Sequence, residues 1–108
     1  MNIPFTIAFS TTQTSTPYFF IEDAAKPTLV RSVTFHNEHS GNQTLTLTYK
    51  AGYADTIGIG TSYDFYTPTV AAKTTEVWRD LIIVNPGDSL GAFGDGNLFN
   101  CIVNCVVL

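Results

Sequence analysis

The chain has 108 residues, 44% hydrophobic and 13% charged, and its five Lys and Arg against nine Asp and Glu leave a net charge of −4. This is the composition of one packed domain with a single core, not of a disordered chain. The acidic balance offers no basic stripe for a phosphate backbone, and no apolar run approaches the roughly 20 residues that span a bilayer, so neither nucleic acid nor membrane is an expected partner.

In chain order, Ile3, Phe5, Ile7 and Phe9 alternate with Asn2, Pro4, Thr6, Ala8 and Ser10, the period of a half-buried strand. Pro4 cannot donate to a ladder, which suits an edge. An uncharged Ser/Thr stretch follows to Pro17 and reads as an extended linker. Residues 1–16 are therefore expected to form a strand and linker, a possible arm, before a single sandwich domain over residues 17–108. Ile3, Phe5, Ile7 and Phe9 are its candidate assembly contacts, through strand addition to a neighbouring subunit. The plainer alternative is the first strand of the same sandwich. The N-terminus lacks the basic region of a signal peptide, which predicts a protein made and kept in the cytoplasm or built into something assembled there.

A short apolar run at residues 18–21 stops at a turn-forming stretch, residues 22–27. Residues 29–36 alternate, with Leu29, Arg31, Val33 and Phe35 expected on one face and Ser32, Thr34 and His36 on the other. Residues 44–50 alternate more cleanly: Leu45, Leu47 and Tyr49 inward, Thr44, Thr46, Thr48 and Lys50 toward solvent. The polar residues 37–43 between them predict a β-hairpin, with Phe35 and Leu47 in the core. Residues 52–60 hold three glycines without a sustained period and read as an excursion. A strand is expected at residues 63–66, another pair around residues 74–84, and a type II turn at Asn85, Pro86, Gly87 and Asp88, with Gly87 at positive φ. Residues 90–93 and 99–108 complete the strands, joined by a tight turn at residues 94–97. No window carries helical periodicity. Some eight short strands between Gly, Pro, Asn and Asp turns predict an all-β fold, an antiparallel β-sandwich of jelly-roll-like type, with a hairpin meander closed as a barrel as the competing topology.

Candidate chemistry is sparse. Cys101 and Cys105, four apart on a strand, have Cα atoms about 13 Å apart, beyond the ~7 Å limit of a disulfide, and are expected as two buried thiols. His36, Glu38 and His39 lie close, but no further ligand is spaced to complete a metal tetrahedron, so neither metal nor cofactor is expected. Asp88, Asp95 and Asn97 lack the regular spacing of a calcium loop. Asp64 and Asp88 could meet as an acid and base pair only through the fold, and no nucleophile elbow is present, so the chain does not read as an enzyme. Tyr53, Tyr63 and Tyr66 are candidate exposed aromatic contacts, which could stack on sugars or anchor a protein, and whose plainer reading is packing.

Residues 29–37, the Thr/Leu strand at residues 44–50 and the Asn-Pro-Gly-Asp turn before the last strands together resemble small virion proteins of tailed bacteriophages, over roughly residues 28–108. The resemblance implies a non-enzymatic virion component, assembled in the host cytoplasm. It would be a capsid decoration or cement protein, or a tail, neck or fibre accessory, binding itself as a homo-oligomer and a major virion protein such as the capsid protein. The aromatic first strand and the cysteine-bearing last strand depart from that pattern. A carbohydrate-binding module using the aromatics is the alternative from another class.

Overall fold

The computed structural model describes residues 2–52 and 62–108. Eleven strands are found among them: β1 (Ile3–Thr11), β2 (Tyr18–Ile21), β3 (Thr28–Asn37), β4 (Gln43–Thr44), β5 (Thr46–Lys50), β6 (Ser62–Tyr66), β7 (Thr69–Val70), β8 (Thr75–Trp78), β9 (Ile82–Val84), β10 (Ser89–Phe93) and β11 (Phe99–Val107). One sheet runs β1-β11-β3-β8, with β9 also paired to β3, and the other runs β2-β10-β5-β6. All of these pairings are antiparallel. From β1 to β3 and again from β8 to β11 the chain crosses between sheets, which gives the jelly-roll form of an all-β antiparallel sandwich. A two-stranded pair, β4-β7, lies at one end.

The core is built from the inward faces of both sheets. Phe35, Val33, Val103 and Phe99 come from the first sheet and Leu47, Leu90 and Ala92 from the second, all fully buried. Phe35 and Phe99 meet edge to face at 5.9 Å, a geometry that suits the ring quadrupoles. Phe35 and Leu47 thus occupy the core as expected, but β3 and β5 form no hairpin. They belong to different sheets and face each other across the sandwich. Two amphipathic strands can bury their apolar faces side by side or face to face, and the loop at residues 38–42 is long enough to permit the second.

Three further expectations are corrected. Leu29 and Arg31 do not share the core face with Val33 and Phe35, because the register against β11 slips between Asn104 and Cys105. Arg31 is the extra residue of a β-bulge, so parity reverses: Val30 is buried and Arg31 is exposed. Thr46 and Thr48 do not face solvent either, at 4% and 0% exposure. β5 is an inner strand of its sheet, Phe93 stands beside Thr46 in register, and the Phe19 ring lies over Gly91, the partner of Thr48.

The third concerns the N-terminal segment, where β1 takes the plainer of the two readings, the first strand of the same sandwich, and not the arm. β1 pairs with β11 through nine consecutive residues, Ile3 opposite Val107 to Thr11 opposite Phe99. The ladder satisfies the backbone groups on one edge of the strand, and Phe5, Ile7 and Phe9 pack against the core. The terminal strand β11 is consequently central, between β1 and β3.

Candidate functional site: the outer face and open edge of the β1 sheet

The asymmetry between the two sheets places the site. β1 is nine residues long, whereas β2, the edge strand of the facing sheet, has four. Phe9 is held between Tyr18 at 4.6 Å and Phe20 at 5.2 Å, but the rest of β1 runs past this cover. Phe5 and Ile7 are only half-buried and Ile3 is 55% exposed. All four candidate assembly residues thus lie on one strand whose other edge pairs with no strand among the described residues. Such an edge is open to strand addition.

On the outer face, the ladder brings side chains into rows across the strands. Pro4, Val106, Leu29 and Ile83 form one apolar row, and Ala8, Ile102, Thr34 and Val77 a second that is apolar except for Thr34. Ile83 and Ile102 are about half exposed, and Leu81, just before Ile83 in sequence, is held at φ 55 and is 57% exposed. Polar rows alternate with these. Ser10 donates to Asn100 Oδ1 at 2.6 Å, and Asn100 Nδ2 donates to Glu38 at 2.7 Å. Glu38 also lies 3.2 Å from His36 Nε2, while His36 Nδ1 bonds to Thr75 at 2.9 Å. In the second polar row Thr6 donates to Asn104 Oδ1 at 3.2 Å, and Asn104 Nδ2 donates to Ser32 at 3.0 Å.

The sequence candidates for chemistry are dispersed. His36 and Glu38 meet in the polar row, but His39 is fixed through its backbone N–H to Asn37 Oδ1. Among the described residues no three His, Cys, Asp or Glu side chains converge as for a metal ion. Asp88 has one carboxylate oxygen on the Tyr49 hydroxyl at 2.5 Å and the other on the Gly52 N–H at 2.9 Å, tying the end of β5 to the turn. Burial, then this bond to Asp88, pushes the Tyr49 phenol up from its ordinary range. Asp95 accepts from the Thr44 N–H at 2.8 Å, and Asn97 donates its N–H to Gln43. These are turn and loop bonds. Burial also raises both thiols, Cys105 to about 11 and Cys101 further.

Of the aromatic candidates, Tyr53 lies outside the described residues. Tyr63 is 63% exposed at the β6 edge. Tyr66 is half-buried and donates to Glu76 of the opposite sheet at 3.2 Å, and burial, then Glu76, raises its phenol. Phe65 lies edge to face with Trp78 at 5.6 Å. β6 therefore closes one side of the sandwich and presents Tyr63 alone as a strongly exposed ring.

Sequence reasoning also missed the polar knot at the far end of β3. Asn37 and Gln43, read as loop residues, are buried and bonded to each other. A polar residue at the inward parity of an alternating strand, as Asn37 is after Val33 and Phe35, was the available signal.

No protein-family model matches this chain, and no curated protein does. Among solved structures it is similar to a Bacillus endospore appendage subunit, from a family of disulfide-linked pili, at 11% identity and TM-score 0.59, over 98% of this chain and 87% of that one. It is also similar to a chain of the T13 particle of infectious bursal disease virus, at 11% identity and TM-score 0.54, over 98% of this chain and 31% of that one. This chain thus spans about a third of that viral protein. A third match is a carbohydrate-binding module from a family 9 glycoside hydrolase of Ruminococcus flavefaciens, at 15% identity and TM-score 0.50, over 97% and 98% of the two chains. At these identities the likeness is one of fold: the chain is a jelly-roll-type β-sandwich, an architecture that hosts several unrelated functions.

Proposed function

We propose that this protein is a non-enzymatic structural subunit of a multi-subunit particle, and specifically a tailed-phage virion component that decorates or cements the capsid shell. The observation that carries the reading is the nine-residue edge of β1, unpaired among the described residues and flanked by apolar rows on the outer face. A long edge that carries exposed Ile3 and lies one strand from exposed Ile102 favours association with further copies or with a shell protein. The low charge of the chain reduces the repulsion that would oppose packing of identical copies. Similarity to a pilus subunit and to a viral particle chain supports the coarser part of this reading, a building block of an assembly. A tail, neck or fibre position is the variant within the same class.

The experiment is sedimentation of the pure protein over a concentration series, followed by co-sedimentation with phage shells that lack small accessory proteins. Concentration-dependent oligomers, or saturable binding to shells, are expected. A monomer at all concentrations that binds no particle overturns the proposal. Carbohydrate binding is the second reading, favoured by exposed Tyr63 and the similarity to a carbohydrate-binding module. Glycan-array binding lost in Tyr63→Ala would put it first.

A further inference from the structure

The β-bulge at Arg31 interrupts the ladder on both sides of β3. Toward β11 the register slips between Asn104 and Cys105. On the other side β8 ends at Trp78 opposite Val33, and β9 begins at Ile82 opposite Val30. Beside this break lies a cleft of ≈ 430 Å³ whose lining includes Pro4, Phe5, Thr6, Arg31, Ser32 and Asn104. Its size falls within the range of small-molecule sites.

The hydrogen bonds give this cleft a direction. Thr6 donates to Asn104 and Asn104 donates to Ser32 Oγ, so the Ser32 hydroxyl, already an acceptor, keeps its own O–H to donate. Arg31 adjoins it with five N–H donors on an exposed side chain and, among the described residues, forms no ion pair. Four residues along β11 the same relay is built from Ser10 and Asn100, and there it ends on the carboxylate of Glu38. The two rows repeat a β1 hydroxyl and a β11 asparagine. In one a carboxylate terminates the relay; in the other the terminus is a hydroxyl donor beside a guanidinium.

We propose that the cleft at the β3 bulge binds a carboxylate borne on a small apolar body. Arg31 takes the carboxylate with its planar fork, Ser32 donates its O–H to the same group, and the Pro4 ring forms the apolar wall. Arginine suits this role because its fork matches two carboxylate oxygens at once. The carboxylate can come from a free organic acid or from an acidic side chain of a docking protein.

The test is a side-chain NMR titration of the intact protein, following the Arg31 Nε–H and Asn104 amide signals. Benzoate stands for the free acid, benzamide is its uncharged counterpart, and an amide-capped tripeptide with a central glutamate stands for a protein side chain. Benzoate or the peptide should shift both signals saturably, with Kd of about 1 mM for one bidentate pair and a small apolar contact; benzamide should not. Whichever of the two binds more tightly identifies the source of the carboxylate. Arg31→Gln should weaken binding about tenfold or more, and Ser32→Ala less, with the backbone spectrum otherwise unchanged. Absence of any carboxylate-dependent shift, equal shifts with benzamide, or undiminished binding by Arg31→Gln overturns the proposal. Because the readout is made on dissolved protein without particles, it fails or succeeds independently of the assembly role.

Discussion

Asn37 and Gln43 are joined by a hydrogen bond of 3.0 Å from Gln43 Nε2 to Asn37 Oδ1, and both side chains are buried, at 0% and 1% exposure. Around this pair the loops at one end of the sandwich are assembled. Asn37 Nδ2 donates to the carbonyls of Gly41 and Val70, each at 2.9 Å, and its Oδ1 also accepts from the His39 N–H. Gln43 Oε1 accepts the N–H groups of Asp95 and Asn97. Gly94 is required beside it, since a Cβ there would lie 2.6 Å from Gln43 Oε1 and 2.9 Å from Leu45.

Asn37→Ala should therefore destabilise the fold by about 2–4 kcal/mol, because several buried backbone groups lose their partner at once. Asn37→Asp should be equally harmful at neutral pH, since it sets a carboxylate against the carbonyls of Gly41 and Val70. Chemical denaturation midpoints measure both. A loss under about 0.5 kcal/mol for both variants would show that water replaces these bonds without penalty.

The Thr48 hydroxyl is buried with no hydrogen-bond partner among the described residues. Thr48→Val keeps the branched shape that suits a strand and removes the orphaned group, so stability should be unchanged or rise by up to ~1 kcal/mol. A loss above about 1 kcal/mol in the same titration would mean that the hydroxyl is satisfied in solution.

Cys101 and Cys105 are buried and unbonded. With the Cys105 thiol pushed up to about 11, its thiolate fraction at pH 8 is on the order of one in a thousand, and the thiolate is the reactive form. A thiol reagent should label the native protein slowly and find two thiols per chain after unfolding in the absence of reductant. The folded state holds these protons more tightly than the unfolded chain. Their contribution is therefore fully present below pH 9.0, the ordinary value, and is lost as pH rises through about 11. Tyr49, raised by burial and then by Asp88, adds in the same direction. Unfolding midpoints should fall on the alkaline side, and Cys105→Ala should flatten that fall. Rapid labelling of both native thiols at pH 8 would contradict the burial.

The sequence by itself determined which residues alternate and where the chain turns. Those properties depend on near neighbours: period-two patterning marks the apolar faces of β1 and β5, and Pro86 with Gly87 at φ 88 builds the turn, closed by the Asp88 N–H on the Asn85 carbonyl at 3.0 Å. The tertiary structure decided partnership. Alternation tells a strand which face to bury and not which strand lies across it, so β3 and β5 read as a hairpin and fold as opposite walls of a sandwich. One bulged residue reversed the parity of half of β3 and moved Arg31 from an expected core face to the cleft. Thr48 reads as a wet position, yet the Phe19 ring lies over its partner Gly91 on the outer face. Asn37 reads as a loop residue, yet its amide is fixed by carbonyls from a segment more than thirty residues away, and such long-range contacts leave no local pattern to read.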